Sequence, residues 1–338
     1  MKILQIAPTL FPIPLTGYGG TEQIVYSLVQ ELHKRGHVVG VVAPEGSKLP
    51  EGVELIPVKQ GEDEELAFQR YRGRLREWDL IHDHTFNSWV YQDSVGVDPP
   101  LPIIKTFHTS PTIWGKPPPV QHPCLVGISN SHARDMMMRW GVTVKVQYNG
   151  IDLDFYCPDP NVKRNGKLLF LGRYTAEKGP LQAMQIAKRL KMPLDCYGDT
   201  TLVSNPIYVE LCRKEADEVL IRFKEGVSRE KTVELYRTYR ALLYTPVWDE
   251  PFGLSIVEAQ ACGMPVIALN RGSMSEVVCN GVSGYVCNNE TELVLRLQDG
   301  LDKIAAGHPR EWARRFSVIE MANGYLSLYQ QVIQGDLW

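Results

Sequence analysis

Glu250-Pro251-Phe252-Gly253-Leu254-Ser255-Ile256-Val257-Glu258-Ala259-Gln260-Ala261-Cys262-Gly263-Met264-Pro265-Val266-Ile267-Ala268 reads, in order, as a loop, a short helix, a turn and a strand. Pro251 and Gly253 mark the loop, residues 255–262 the helix, Gly263 its stop and residues 265–268 the strand. This is half of an α/β repeat, and the rhythm extends in both directions. Upstream, strand-like runs at 167–171, 194–197, 221–223 and 241–244 accompany a helix over 180–190. Residues 151–167 turn polar, with Pro158, Pro160, Asn161 and Asn165, and read as a linker. Before them a second set begins with a strand at 2–7, a helix at 21–35 closed by Gly36, and a strand at 37–43. Further runs follow at 80–82, 103–107, 124–128 and 144–148, while the segments after Glu290 are helical. Short apolar runs separated by helices give parallel sheets covered on both faces. The expectation is an α/β chain of two doubly wound domains, 1–155 and 156–316, with a last helix at 317–338. Two open sheets facing each other would bind a ligand in the cleft at their strand ends.

The chain of 338 residues exceeds one typical core, which agrees with two domains. A net charge of −3 argues against a nucleic-acid binder. Arg70, Arg72, Arg74 and Arg76 form the densest basic run, but alternate spacing spreads them around a helix as a solvated surface. The seven cysteines lack metal-type pairing and mostly sit in or beside apolar runs, as reduced core thiols do. The opening segment is too short for a signal peptide, and no apolar run approaches the ~20 residues that span a bilayer. A soluble, cytoplasmic protein is expected.

Four segments carry chemistry. In the first, backbone N–H groups at the start of the helix after Gly253 form an anion or hydroxyl site. Glu258 lies about one turn further on, and Glu250 just before the loop. Two carboxylates flanking a helix start suit a polyol attached to a phosphate. In the second, a strand ending at Leu171 feeds a turn carrying Arg173 and Lys178, two cations suited to a diphosphate. In the third, Gly17-Tyr18-Gly19-Gly20-Thr21-Glu22 puts a Gly-rich loop before a helix dipole. It is no dinucleotide fingerprint, because Glu22 stands where the third glycine belongs. The fourth is His108, at the end of a strand. His82-Asp83-His84 places two histidines on one strand face, but no third ligand has suitable spacing, so a metal site is not expected.

Together these segments resemble the retaining, GT-B-fold glycosyltransferases of family 4 (glycosyl transferases group 1). The resemblance rests on Glu250-x7-Glu258, the flanking Pro-Phe-Gly-Leu and Ala-Cys-Gly-x-Pro-Val-Ile-Ala wording, and Arg173 with Lys178. It extends over nearly the whole chain and is tightest over residues 169–284. It implies two Rossmann-like domains facing across a cleft, the acceptor on the first and a nucleotide-diphosphate sugar donor on the second, with the last helix returning to the first. By resemblance Glu258 holds the ribose hydroxyls and Glu250 faces the donor sugar. Phe252, Gly253 and Leu254 supply backbone N–H groups, and Arg173 and Lys178 neutralise the departing diphosphate. Gly19 and Gly20 belong to a loop over the donor phosphates, His108 contacts a donor-sugar hydroxyl, and Glu276, in Arg271-Gly272-Ser273-Met274-Ser275-Glu276, lies near that sugar. The resemblance also implies retention of anomeric configuration and no metal or cofactor. The implied acceptor is a sugar, a lipid-linked molecule or a small molecule, in glycan, exopolysaccharide or glycolipid synthesis. Peripheral contact with the inner membrane surface is compatible with it. The alternatives are a nucleotide-sugar epimerase on the same fold, a non-catalytic sugar-nucleotide-binding protein, and a nicotinamide-dependent dehydrogenase. Neither half carries the Gly-x-Gly-x-x-Gly the last would need.

Overall fold

The computed structural model describes every residue except 15–18, 95–99, 113–116, 119, 202 and 204. It divides into two units. The first runs to Gly150 and takes back Phe316–Trp338; the second is Ile151–Arg315.

Among its described residues the first unit carries seven strands, β1 (Lys2–Ile6), β2 (Val38–Pro44), β3 (Glu54–Val58), β4 (Leu80–Asp83), β5 (Ile103–Thr106), β6 (Leu125–Gly127) and β7 (Val144–Val146). They lie in the order β3-β2-β1-β4-β5-β6-β7, every pair parallel. Helices α1 (Gly20–Lys34), α2 (Glu64–Tyr71) and α3 (Asn130–Trp140) connect them. Ile3, Leu4, Gln5 and Ile6 are all buried, as a central strand covered on both faces requires. On α1 the buried stripe is Ile24, Val25, Leu28, Val29 and Leu32, the helical period that seats it on the sheet. The sequence reading misses β3, an edge strand interrupted by Pro57, where a proline does least harm to a ladder.

The second unit repeats the plan. Strands β8 (Leu168–Leu171), β9 (Leu194–Gly198), β10 (Ile221–Glu225), β11 (Ala241–Tyr244), β12 (Val266–Leu269) and β13 (Gly284–Cys287) run parallel in the order β10-β9-β8-β11-β12-β13. Between and after them stand α4 (Pro180–Leu190), α5 (Pro206–Glu215), α6 (Arg229–Thr238), α7 (Leu254–Ala261), α8 (Met274–Val277), α9 (Glu290–Asp299) and α10 (His308–Ala313). Its core includes Leu168, Phe170, Ile186, Cys196, Leu243 and Ile267.

The last helix, α11 (Val318–Ile333), belongs to the first unit. Ser317 caps it by accepting from Glu320 N–H. Its buried stripe is Met321, Ala322, Tyr325, Leu328, Tyr329 and Val332. Arg35, just past α1, donates to Asn323 Oδ1 at 2.7 Å, and Trp338 Nε1 donates to Leu125 O at 2.8 Å.

The chain crosses between units at Gly150–Ile151, earlier than the expected 155/156, because Arg310 holds the carbonyls of Leu153 and Tyr156 at 3.1 and 3.0 Å within the second unit. The return falls at Arg315–Phe316, where the Phe316 ring packs edge-on against Tyr148. Arg70, Arg72 and Arg74 are ion-paired with Glu62, Asp93 and with Glu54 and Glu77, so the basic run is locally neutralised. All seven cysteines are free thiols. Among the described residues no helix is long and apolar enough to cross a membrane.

Candidate functional site

Both sheets reverse their winding direction beside the first strand of the set, between β1 and β4 and between β8 and β11. In such sheets ligands bind outside the carboxyl ends of the strands at that switch point. In the second unit those ends carry Arg173 and Lys178 after β8, Glu250 after β11, and Glu276 after β12.

The two central loops are stitched together by backbone. Gly179 has φ +71°, and a Cβ there would lie 1.8 Å from Thr245 O, so only glycine lets the loop after β8 approach β11 this closely. Thr245 Oγ1 donates to Gly179 O at 2.8 Å, and Val247 N–H donates to Glu177 O at 3.0 Å. This clamp brings Lys178 Nζ to 2.5 Å from Glu250 Oε2, with both side chains buried. The same Oε2 accepts from the Tyr244 hydroxyl at 2.5 Å and from Trp248 Nε1 at 3.1 Å, and the ammonium stands 4.9 Å from the Trp248 ring centroid. Burial pushes the Glu250 carboxyl up, but the charge of Lys178 and hydrogen bonds from Lys178, Tyr244 and Trp248 outweigh it, holding the group below its ordinary range. Three donors converge on one oxygen of Glu250, leaving Oε1 for another partner. Arg173 lies on the same loop as Lys178, 3.6 Å from Glu177 Oε1.

Helix α7 begins immediately after Glu250. Its N-cap is Gly253, at φ +87°, and among the described residues no side chain caps its first turn. Ile256 N–H donates back to Gly253 O at 3.1 Å, which leaves the amides before it and the positive end of the helix dipole to meet an anion. The loop after β12 braces this turn: Ser273 N–H donates to Glu250 O at 2.9 Å and Ser273 Oγ to Phe252 O at 2.8 Å. Glu276 follows on α8. Further along α7, Glu258 Oε2 accepts from the Tyr236 hydroxyl at 3.1 Å. Burial raises the Glu258 carboxyl above its usual range, partly offset by hydrogen bonds from Tyr156 and Tyr236. The two glutamates thus differ in character, one tied to a cation and one held by phenols.

A cavity of about 470 Å³ in this unit opens instead at the amino end of the sheet, beside Gly263 and Pro265. Its Arg164 and Arg310 donate to the carbonyls of Tyr236, Tyr239, Cys262 and Ala261. They cap the carboxyl ends of α6 and α7 and serve the fold.

In the first unit, Gly19 is the N-cap of α1 and Gly20 its first residue, again with no side-chain cap among the described residues; Gly17 and Tyr18 lie outside those residues. Burial pushes the Glu22 carboxyl in that first turn up. His108 follows β5, half-buried, with Nε2 2.9 Å from His84 Nδ1. His82 is hydrogen-bonded to Tyr329 and Thr106, and Asp83 turns away to Lys105 Nζ at 3.2 Å. Among the described residues no three His, Cys, Asp or Glu side chains are grouped to hold a metal.

Sequence reasoning finds the charged residues but misses the groups that hold them: Tyr244 and Trp248 on Glu250, Tyr156 and Tyr236 on Glu258, and Gln5 on His84. The available signal was positional, since Tyr244 ends β11 and Trp248 stands two residues before Glu250.

Two family models match the chain, glycosyl transferases group 1 over residues 159–304 and glycosyltransferase family 4 over residues 18–155. A phosphatidyl-myo-inositol mannosyltransferase of Mycobacterium leprae is 28% identical over 322 residues, covering 85% of this chain and 83% of the relative. A D-inositol 3-phosphate glycosyltransferase of Rhodococcus erythropolis is 26% identical, over 75% of this chain and 68% of the relative. Among solved structures, AviGT4, a glycosyltransferase involved in avilamycin A biosynthesis, superposes with a TM-score of 0.80 at 22% identity, covering 100% and 99% of the two chains. Anabaena HepE in complex with UDP-glucose gives 0.74 at 19% identity, covering 98% of this chain and all of the other. At such identities the structural likeness speaks for the fold.

Proposed function

Because the chain belongs to the family-4 glycosyltransferases (glycosyl transferases group 1) and is a transferase enzyme, we propose that its donor is a nucleotide-diphosphate sugar held by the second unit. The observation that carries this is the buried Lys178–Glu250 pair beside the uncapped start of α7, at the β8/β11 switch point. A donor has three chemically distinct parts, and this unit has a group suited to each. Glu258, fixed by phenol donors, accepts hydrogen bonds from ribose hydroxyls. Lys178, Arg173 and the N–H groups of Phe252, Gly253 and Leu254 take the diphosphate. Glu250 Oε1 and Glu276 face sugar hydroxyls.

Catalysis in this reading is electrostatic. As the bond between anomeric carbon and phosphate oxygen breaks, negative charge grows on the departing diphosphate. Fixed cations and helix-start amides stabilise it without having to reorganise. No metal is invoked, because Lys178 and Arg173 supply the positive charge. The pairing with Glu250 holds Lys178 in place in the free protein and leaves part of its N–H capacity for a phosphate oxygen. An acceptor hydroxyl, on a sugar, a lipid-linked molecule or a small molecule, attacks from the face that the leaving group departs. The phosphate takes its proton, and the anomeric configuration is retained. The UDP-glucose complexes of HepE support the donor class, and the inositol- and lipid-directed relatives are compatible with several acceptors.

The test is incubation with a panel of nucleotide sugars, with and without candidate acceptors, followed by NMR of the anomeric protons. Acceptor-dependent release of nucleoside diphosphate with a product of unchanged anomeric configuration is expected. An altered sugar formed from donor alone would mean an epimerase, and an inverted product would overturn the stereochemical part.

A further inference from the structure

The cavity at the amino end of the second sheet lies at the opposite end of the strands from the loops after β8 and β11, and its described lining residues fall within 158–310. Its volume of about 470 Å³ is in the size range of small-molecule sites. Four guanidinium groups line it, those of Arg164, Arg237, Arg240 and Arg310, against the two carboxylates of Asp159 and Asp302. The carboxyl ends of α6 and α7 reach it at Arg237 and at Cys262. Each helix end counts for about half a negative charge, so the walls keep a net charge of about +1.

Two of the four guanidinium groups are committed to the fold, since Arg164 and Arg310 hold the carbonyls that end α6 and α7. The other two are only partly engaged. Arg237, half-buried, donates from Nε to Cys157 O at 2.6 Å and from Nη2 to Cys157 Sγ at 3.0 Å. Among the described residues it pairs with no carboxylate. Arg240 Nη2 donates to Asp302 Oδ1 at 2.8 Å, but the Asp302 side chain is 84% exposed, so water competes for that pair. Arg237 Nη1 and Arg240 Nε and Nη1 make no hydrogen bond among the described residues. A half-buried cation without a counter-ion is costly, and an anion beside it removes that cost. The remaining walls include the aliphatic Val162, Pro265, Leu301 and Ile304.

We propose that this cavity is a second ligand site and takes a small organic phosphate monoester, its phosphate on Arg237 and Arg240 and its carbon body on Leu301 and Ile304. The two arginines offer several uncommitted N–H bonds from separate side chains. A phosphate monoester meets them with three acceptor oxygens and a charge of about −2, where a carboxylate has two oxygens and a single charge. An exposed pair such as Arg240–Asp302 yields readily to a dianion. The aliphatic walls favour an ester over inorganic phosphate, because they bury carbon surface that the free ion lacks. The site shares no residue with the loops after β8 and β11, so it does not rest on the donor assignment.

The experiment is titration calorimetry of phenyl phosphate, inorganic phosphate and benzyl alcohol into the full-length protein, repeated in Arg240→Ala, Ala306→Trp and Lys178→Ala. Phenyl phosphate should bind saturably and more tightly than inorganic phosphate, and benzyl alcohol, which lacks the charge, should not bind. Arg240→Ala should weaken phenyl phosphate about tenfold, the scale of one charge-assisted hydrogen bond. Ala306→Trp, at an exposed lining position, fills the cavity without removing a charge and should weaken it at least as much. Lys178→Ala should leave that affinity unchanged. Absence of saturable binding, equal affinity for the ester and the free ion, or undiminished affinity in either folded cavity variant would overturn the proposal. Binding lost in Lys178→Ala but kept in Arg240→Ala would also overturn it, by placing the phosphate beside the start of α7, and would leave the donor reading standing. Phenyl phosphate bound as expected, with no sugar transferred from any donor, would instead overturn the donor reading and leave this site intact.

Discussion

Replacing Lys178 with Ala leaves the Glu250 carboxylate buried and short of its cation, with Tyr244 and Trp248 as its remaining donors. Two unit charges about 4 Å apart attract by ~4 kcal/mol at an effective dielectric near 20, and more at closer approach, before the desolvation of both groups is subtracted. Removing one partner of a buried pair costs about 3–5 kcal/mol. The two retained donors place Lys178→Ala near the low end, at ~3 kcal/mol. Glu250→Gln should cost ~2–3 kcal/mol by stranding the ammonium, while the double variant buries no charge at this position. A double-mutant cycle by urea unfolding should therefore give a coupling of ~2–3 kcal/mol. The pH dependence has a definite sign. Lys178 and its neighbours hold the Glu250 carboxyl below 4.5, its ordinary value, so the pair's contribution is complete above that pH and is lost as pH falls through the lowered folded value. The gap between wild type and Lys178→Ala should narrow in acid. Additivity of the two single variants within about 0.5 kcal/mol at neutral pH would refute the electrostatic account of this pair.

Gly179→Ala would drive a methyl group to 1.8 Å from Thr245 O in a left-handed backbone. Combining ~1–2 kcal/mol of backbone strain with ~1–3 of overpacking, calorimetry should show Tm falling by several degrees, and transfer should weaken because Lys178 moves. An unchanged Tm would show that the two loops are not clamped there. Glu258→Ala should weaken nucleoside diphosphate binding about tenfold, read by titration calorimetry, without loss of fold; undiminished affinity would remove Glu258 from the ribose site. Burial holds His132 down at about 4 and His108 at about 3, against 6.5 when unfolded. Between pH 7 and 5 the unfolded chain takes up protons that the folded chain refuses, so unfolding free energy should drop by ~2 kcal/mol for each of the two. A flat profile over that window would contradict their burial as neutral rings.

The sequence carried the architecture because parallel strands buried on both faces leave short apolar runs, and the helices between them start and stop at legible residues. Pro180 opens α4 and Gly36 follows α1, as read. The strands it lost, β3 and β13, are both edges, where Pro57 and Gly284 resemble loop punctuation. The charged residues of the site were legible for a related reason: Arg173, Lys178, Glu250 and Glu258 stand beside strand ends and helix starts, where local pattern is strong. Their partners were not. Tyr244 reads as one more apolar strand residue, Tyr329 as part of a helix stripe, and Gln5 as a blemish in a buried strand. Contacts such as Gln5 to Tyr329 join opposite ends of the chain, and no local periodicity encodes which polar group a buried side chain will meet.

In the proposed function the second unit binds a nucleoside diphosphate through Lys178. Titration calorimetry of a panel of nucleoside diphosphates and their sugars into wild type and Lys178→Ala tests it directly. Wild type should bind at least one nucleoside diphosphate saturably, and the variant should bind it about 10- to 100-fold more weakly, the scale of a charge-assisted hydrogen bond. Binding of none of them, or equal affinity in the two proteins, would contradict it.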